Sequence, residues 1–339
     1  MNNSYVRDPI LIIGTGIGGI SVLNEIRNID AEIPILVVDE NNGCTYLKPM
    51  LSKICQSGFD TQVLQLKNKD EIESKYNCKV LSNTKVVYVD TSKKTVTLNN
   101  DDMIRFSSLV IATGSLPRKT LYNSDKENII VHNVSSWKDY SNLIDELTSN
   151  KRIAIVGAGI VGCEIAYDLS HRFDSVNLIT PDAHVLSNLD DHSLSENVLN
   201  RLLNKKIKVF KSAKNIIYKS EPSQSVCFEL NKEVLSLNVE IIIECVGNDA
   251  STKLINGKYL EFIPIDNKCQ TEFNSIYALG DCASYNGNVF SNIFIIRKCA
   301  KTIAGNILDV PSAFQQEDYN IVIKVGKPLL KKTIKCQVG

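Results

Sequence analysis

The sequence predicts an α/β fold of two parallel-sheet units, the second inserted into the first, and three observations carry that prediction. Two glycine-rich turns, Gly14-Thr15-Gly16-Ile17-Gly18-Gly19 and Gly157-Ala158-Gly159-Ile160-Val161-Gly162, each follow an apolar run and open a helical stretch. Each unit then supplies a further short apolar strand that ends in glycine, Leu109 to Gly114 in the first and Ile241 to Gly247 in the second. A third such strand, Ser275 to Gly280, comes after the second unit and places Asp281 directly behind its glycine, so the first unit reads as discontinuous. The predicted boundaries are 1–115 with 246–310 for the first unit, 116–245 for the second, and 311–339 for a short C-terminal segment with a strand-like stretch from Tyr319 to Val325. The polar run Asn123 to Asn128 suits an entry to the inserted unit.

Taken in order, Ile10 to Ile13 reads as a buried strand and Ile20 to Ile26 as the helix after the first turn. In such a turn the first glycine makes the bend, the second lets the backbone approach a pyrophosphate, and the third lets helix and strand pack closely; the helix N-terminus holds the anion. Gly14, Gly16 and Gly19 take those positions. The next apolar run, Ile35 to Val38, ends at Asp39-Glu40, where a carboxylate can accept hydrogen bonds from ribose hydroxyls. Val86 to Leu98 alternates like a hairpin layer. The second turn follows Arg152 to Val156, with Gly157, Gly159 and Gly162 in the same three positions, then a helix through Leu169 and a strand from Val176 to Ile179. Here no acid ends the strand: Thr180-Pro181-Asp182 stands there, leaving Thr180, Asp182 or backbone for a ribose, and no arginine for a 2′-phosphate, which favours NADH over NADPH. Both units therefore read as Rossmann-like dinucleotide-binding folds.

Composition is that of an ordinary soluble protein, 43% hydrophobic and 22% charged over 339 residues. Lysine plus arginine equals aspartate plus glutamate at 38 each, so no global field argues for nucleic acid or an anionic membrane; Arg118-Lys119, Lys205-Lys206 and Lys331-Lys332 are local basic pairs only. The polar N-terminus and the lack of a spanning apolar run predict a cytoplasmic location. Ten cysteines are expected as reduced thiols, and since none stand closer than Cys44 and Cys55 there is no CxxC, no CxxxxC and no zinc or iron-sulfur spacing; no metal site is predicted.

With these residues in view, the chain resembles the pyridine nucleotide-disulfide oxidoreductase family over about residues 8–310. Within it, Tyr46-Leu47-Lys48-Pro49-Met50-Leu51-Ser52-Lys53 is similar to the YxKPMLS segment of rubredoxin and flavorubredoxin reductases, and less closely to the RPPLSK segment of ferredoxin reductases. The resemblance implies that the first fold binds FAD, with Asp39 or Glu40 at its ribose, Lys48 and Pro49 in the flavin segment, the Thr113-Gly114 turn passing the flavin, and Asp281 on the ribityl-phosphate arm. It implies that the second fold binds NADH, or NADPH, on Gly157, Gly159, Gly162, Thr180 and Gly247. Lys53 and Glu164 are expected as a pair beside the reacting rings, with Lys48 a second cation there and a helix over Ser291 to Leu308 directing its first N–H groups at the flavin.

Departures from other branches matter as much. Dithiol branches need paired cysteines and a late histidine base, yet no histidine follows His192; aligned on Tyr46-Leu47, the peroxidase cysteine falls at Pro49 and its glycine-turn histidine at Ile17. The expected function is an FAD-dependent NAD(P)H oxidoreductase delivering electrons directly from flavin to a small carrier such as rubredoxin or ferredoxin. The alternatives are an NADH oxidase or diaphorase subunit, and a non-catalytic FAD-binding structural or regulatory subunit, the latter motivated by Thr180 and by Gly247-Asn248-Asp249 standing where the family carries arginine-proline. Only about 29 residues follow Pro311, so a partner chain or a second copy is expected to cover the flavin.

Overall fold

The structure, a computed structural model, describes residues 7–55, 58, 65–118, 129–147, 151–252, 254–257 and 260–335. Lys119 and the segment Asn123 to Asn128 lie outside the described residues.

Five strands form the first parallel sheet in the order Ile276–Ala278, Ser108–Ile111, Ile10–Ile13, Ile35–Val38, Lys79–Leu81. Ile10–Ile13 and Ile35–Val38 are apolar at every position because the sheet is covered on both faces. The two-residue period of a strand divides them: Ile10 and Ile12 pack against helices Ile17–Ile29 and Ile293–Ile307, whereas Leu11 and Ile13 face Val89, Val96 and Leu98. Those last residues belong to an antiparallel layer, Val86–Asp90, Thr95–Leu98 and Met103–Arg105, one strand more than the predicted hairpin.

The second parallel sheet repeats the plan in the order Val131–Asn133, Ile241–Glu244, Arg152–Val156, Ser175–Ile179, Lys208–Phe210. Ile153 and Ile155 pack against helices Ile160–Leu169 and His192–Asn204; Ala154 and Val156 face the meander Lys214–Lys219, Ser225–Leu230, Glu233–Asn238. Where the chain passes between the sheets it does so twice, and the two passages pair antiparallel as Ser115–Pro117 with Asn248–Ala250.

The late helix runs over Ile293–Ile307 instead of starting at Ser291, because the Asn292 side chain accepts the Phe294 N–H and caps it. The C-terminal segment forms a hairpin, Tyr319–Ile323 with Leu330–Ile334. Ile323 and Val325 are buried in the core of the second sheet's helical face together with Leu51 and Ile54. Arg201 fastens the hairpin by donating to the carbonyls of Val325 at 2.7 Å and Pro328 at 2.8 Å, and Lys332 pairs with Asp191 at 2.9 Å. No helix among the described residues is long and apolar enough to cross a membrane.

Candidate functional site

The two glycine turns are near copies in three dimensions. Gly14 and Gly157 both have φ +106°, a region that L side chains avoid, and a Cβ on either would collide with a backbone carbonyl, that of Ala112 or Cys245 respectively. A Cβ on Gly19 would overlap the Gly14 oxygen and one on Gly162 the Gly157 oxygen, so these glycines let helix and strand touch. Gly16 and Gly159 differ: nothing lies within 4 Å of the Cβ position, and each is the N-cap of its helix with no side-chain cap. Both turns thus present bare N–H groups to open space, the geometry that a pyrophosphate requires. Gly114, φ +66°, also faces open space beside the first turn.

Asp39 does not face outward as expected for a ribose contact. Its Oδ2 accepts from the Thr15 N–H at 2.9 Å and the Thr15 hydroxyl at 2.7 Å, and its Oδ1 accepts from the Asn41 N–H at 2.8 Å. The carboxylate is spent on bracing the first turn, and it is Glu40, 2.9 Å from Lys85, that stands exposed just past the strand end.

Asp281 gathers Lys48, Ser115 and Ser291 around one carboxylate. Its Oδ2 lies 3.2 Å from the Lys48 ammonium and accepts the Ser115 hydroxyl at 2.9 Å, while Lys48 also donates to Ser115 at 3.2 Å. Burial alone would raise the Asp281 carboxyl, but Lys48, Ser291 and Ser115 outweigh it and hold the group below its ordinary value. Thr113 donates to the Ser251 carbonyl at 2.7 Å, fixing the neighbouring turn to the second chain passage. Lys48 therefore sits in the Asp281 cluster.

The segment 46–55 is clamped from the other side by the second unit. Tyr46 accepts the Trp137 N–H at 3.1 Å and packs on its ring, and the Cys55 N–H donates to Asp168 at 2.5 Å. Between them the Ser52 hydroxyl donates to Glu164 Oε2 at 2.5 Å, joining the KPMLS motif to the helix that follows the second glycine turn. Pro49 shapes this stretch at the start of a single helical turn, Lys48–Met50, and its carbonyl accepts weakly from Ser52 at 3.3 Å. Glu164, 3% exposed, is ion-paired at 2.6 Å, but with Lys324 of the C-terminal hairpin and not with Lys53 as the sequence led us to expect. The Lys324 N–H adds a second bond, to Glu164 Oε1 at 2.8 Å. Lys53 stays half-buried nearby, its N–H bonded to Met50 at 3.0 Å. Ser52 was inside the recognised motif; Lys324 carried no sequence signal beyond strand-like alternation.

At the second strand end Thr180 is fully buried, its hydroxyl donating to Asp182 at 3.3 Å and accepting the Asp182 N–H at 3.2 Å. Its expected ribose contact is corrected accordingly: the exposed Asp182, which also accepts from Ser187 at 2.8 Å, is the polar group presented there. Gly247, φ +95°, has the Arg118 guanidinium 3.8 Å from its Cβ position, and Arg118 is ion-paired with Asp249 at 3.0 Å. An arginine therefore reaches this turn from the other chain passage although none occupies it in sequence. All nine described cysteines are free thiols, and burial, followed by Asp168, pushes Cys55 up to about 12.

Comparison with known proteins identifies the family and its fold. The profile of the pyridine nucleotide-disulphide oxidoreductase family matches residues 8–316. Curated relatives include a nitric oxide reductase FlRd-NAD(+) reductase of Aliivibrio fischeri, 28% identical over 94% of this chain and 83% of its own length. Another is a rubredoxin-NAD(+) reductase of Alcanivorax borkumensis, 29% identical over 89% of this chain and 80% of its own. Among solved structures, that of the covalent putidaredoxin reductase-putidaredoxin complex superposes with a TM-score of 0.86 at 21% identity, over 96% of this chain and 81% of that one. The chain belongs to the pyridine nucleotide-disulphide oxidoreductase family.

Proposed function

We propose that this protein is an FAD-dependent NAD(P)H oxidoreductase that passes electrons from the nicotinamide through the flavin directly to a small carrier protein of the rubredoxin or ferredoxin kind. The observation that carries the proposal is the Ser52 to Glu164 bond at 2.5 Å, which ties the flavin segment of one glycine-turn unit to the helix that follows the other glycine turn. Bound flavin supplies two-electron acceptance and one-electron release.

The residues of the chain position and stabilise. Gly14, Gly16 and Gly19 with the helix N-terminus at Ile17 would hold the FAD pyrophosphate, Glu40 its ribose, and Asp281 with Ser115, Thr113 and Gly114 the arm and ring edge. Lys48 supplies a cation beside that arm. Gly157, Gly159 and Gly162 would hold the second nucleotide, with Asp182 at its ribose and Gly247 beneath it. A carboxylate at that point accepts from hydroxyls and repels a 2′-phosphate, which favours NADH over NADPH. Glu164, fixed by Ser52 and Lys324, would be the charged group beside the reacting rings, orienting the nicotinamide toward the flavin. The free thiols suit a reducing compartment, the cytoplasm.

The test is anaerobic addition of NADH to the FAD-loaded protein. Bleaching of the flavin absorbance, followed by recovery on adding oxidised rubredoxin or ferredoxin, is the expected outcome. A flavin that stays oxidised would leave only the non-catalytic reading, and recovery with oxygen but neither carrier would make it an oxidase.

A further inference from the structure

Away from the two nucleotide turns, His184, His192 and Glu196 converge at the surface of the second unit, and we propose that they form a binding site for a zinc-class divalent transition metal. His192 and Glu196 are one helical turn apart on Ile160's neighbour helix, His192–Asn204, and so project from one face. His184 comes from the preceding loop. Their ligand atoms all lie within 4.8 Å of one another, and the two imidazole rings meet edge to face with centroids 5.0 Å apart.

Two of the four histidines in the chain stand here, beside one carboxylate. Two imidazoles and a carboxylate are a donor set that zinc accepts in tetrahedral geometry, with water in the fourth position. To reach bonds of about 2.0 to 2.2 Å around a common ion, each donor need move inward by only about 1 Å, within the rotameric freedom of side chains at the surface. Two neighbouring carboxylates are otherwise engaged: Asp182 accepts from Ser187 and Thr180, and Asp191 accepts the Leu194 N–H and pairs with Lys332. Among the described residues no lysine or arginine forms an ion pair with Glu196, so no cation competes for its carboxylate.

The site has a structural consequence. The loop carrying His184 continues into Val185 and Leu186, both buried, and the Leu186 N–H donates to the Ala158 carbonyl of the second glycine turn at 2.8 Å. A metal bridging His184 to the helix staples this loop over the turn.

The experiment uses the full-length, FAD-loaded protein titrated with Co2+ and, in parallel, with Zn2+ by calorimetry. One equivalent is expected to bind, with Co2+ giving tetrahedral d–d bands to the red of the flavin absorption and without thiolate charge-transfer bands, and Zn2+ raising the melting temperature. His184→Ala and His192→Ala should each weaken binding by about tenfold or more, and Glu196→His should retain it where Glu196→Ala does not. Absence of binding, thiolate bands, or wild-type affinity in the His184→Ala/His192→Ala double variant would each overturn the assignment.

Discussion

Glu164 shows how much a single partner decides. A carboxylate 3% exposed is tolerable only because a hydroxyl, an N–H and an ammonium converge on it, from Ser52 and Lys324. Lys324→Met removes the ammonium and leaves the carboxylate buried, which should cost about 3 kcal/mol in a denaturant titration. Lys53→Met should cost under about 1 kcal/mol, since among the described residues no ion pair depends on it. If the two costs were reversed, the pairing expected from sequence would stand and the one found here would fall. The acid was legible because it follows a recognisable glycine turn; its partner was not, because Lys324 is 160 residues distant and nothing local marks a strand-end lysine as one that will reach a buried carboxylate.

At the scale of elements, the glycine turns were readable because steric necessity writes them into the sequence. The third glycine of each has no room for a Cβ, whereas the second has nothing within 4 Å. Gly162→Ala should therefore destabilise the fold by about 1 to 3 kcal/mol through overpacking against the Gly157 carbonyl. Gly159→Ala should leave the melting temperature nearly unchanged and raise the KM for NADH by about tenfold or more, because only the ligand would meet the new methyl. Equal effects of both on stability would sink this division of labour. Strand ends were harder to read than turns. Asp39 and Thr180 occupy the positions at which a ribose contact is sought, yet each side chain is taken up by the N–H two residues on, of Asn41 and Asp182, and Asp39 also by Thr15 of the glycine turn. Short polar side chains at strand ends compete for nearby N–H groups, and sequence alone does not tell which contest wins. The C-terminal hairpin was anticipated only as one strand; its packing on Leu51 and Ile54 is a tertiary fact with no local signature.

For the molecule as a whole, the 46–55 segment bonds to Asp281 on one side and to Glu164 and Asp168 of the second unit on the other, and the question is whether any sulfur takes part in the proposed electron transfer. Cys55 is the thiol placed closest in sequence to that junction, its N–H bonded to Asp168. Burial and the Asp168 carboxylate raise its pKa to about 12 from an ordinary 9.0, so the thiolate, which alone is nucleophilic, is disfavoured. Because the folded-state pKa is raised, the neutral thiol persists through the physiological range and ionises only as pH climbs toward 12. At pH 8 the raised pKa leaves far less thiolate than an ordinary cysteine would carry. Iodoacetamide labelling of Cys55 in the native protein, read by mass spectrometry, should be slower than that of the unfolded chain by about tenfold or more and should go on rising about tenfold per pH unit beyond pH 9. A thiol on the electron path would behave oppositely, labelling fast near neutrality. Cys55→Ser should accordingly keep NADH-driven flavin reduction and carrier reduction within about twofold of the parent, since an electron route that bypasses sulfur has no transition-state interaction there to lose. A loss of carrier reduction with flavin reduction intact would instead put Cys55 between flavin and acceptor, and the direct route would have to be abandoned.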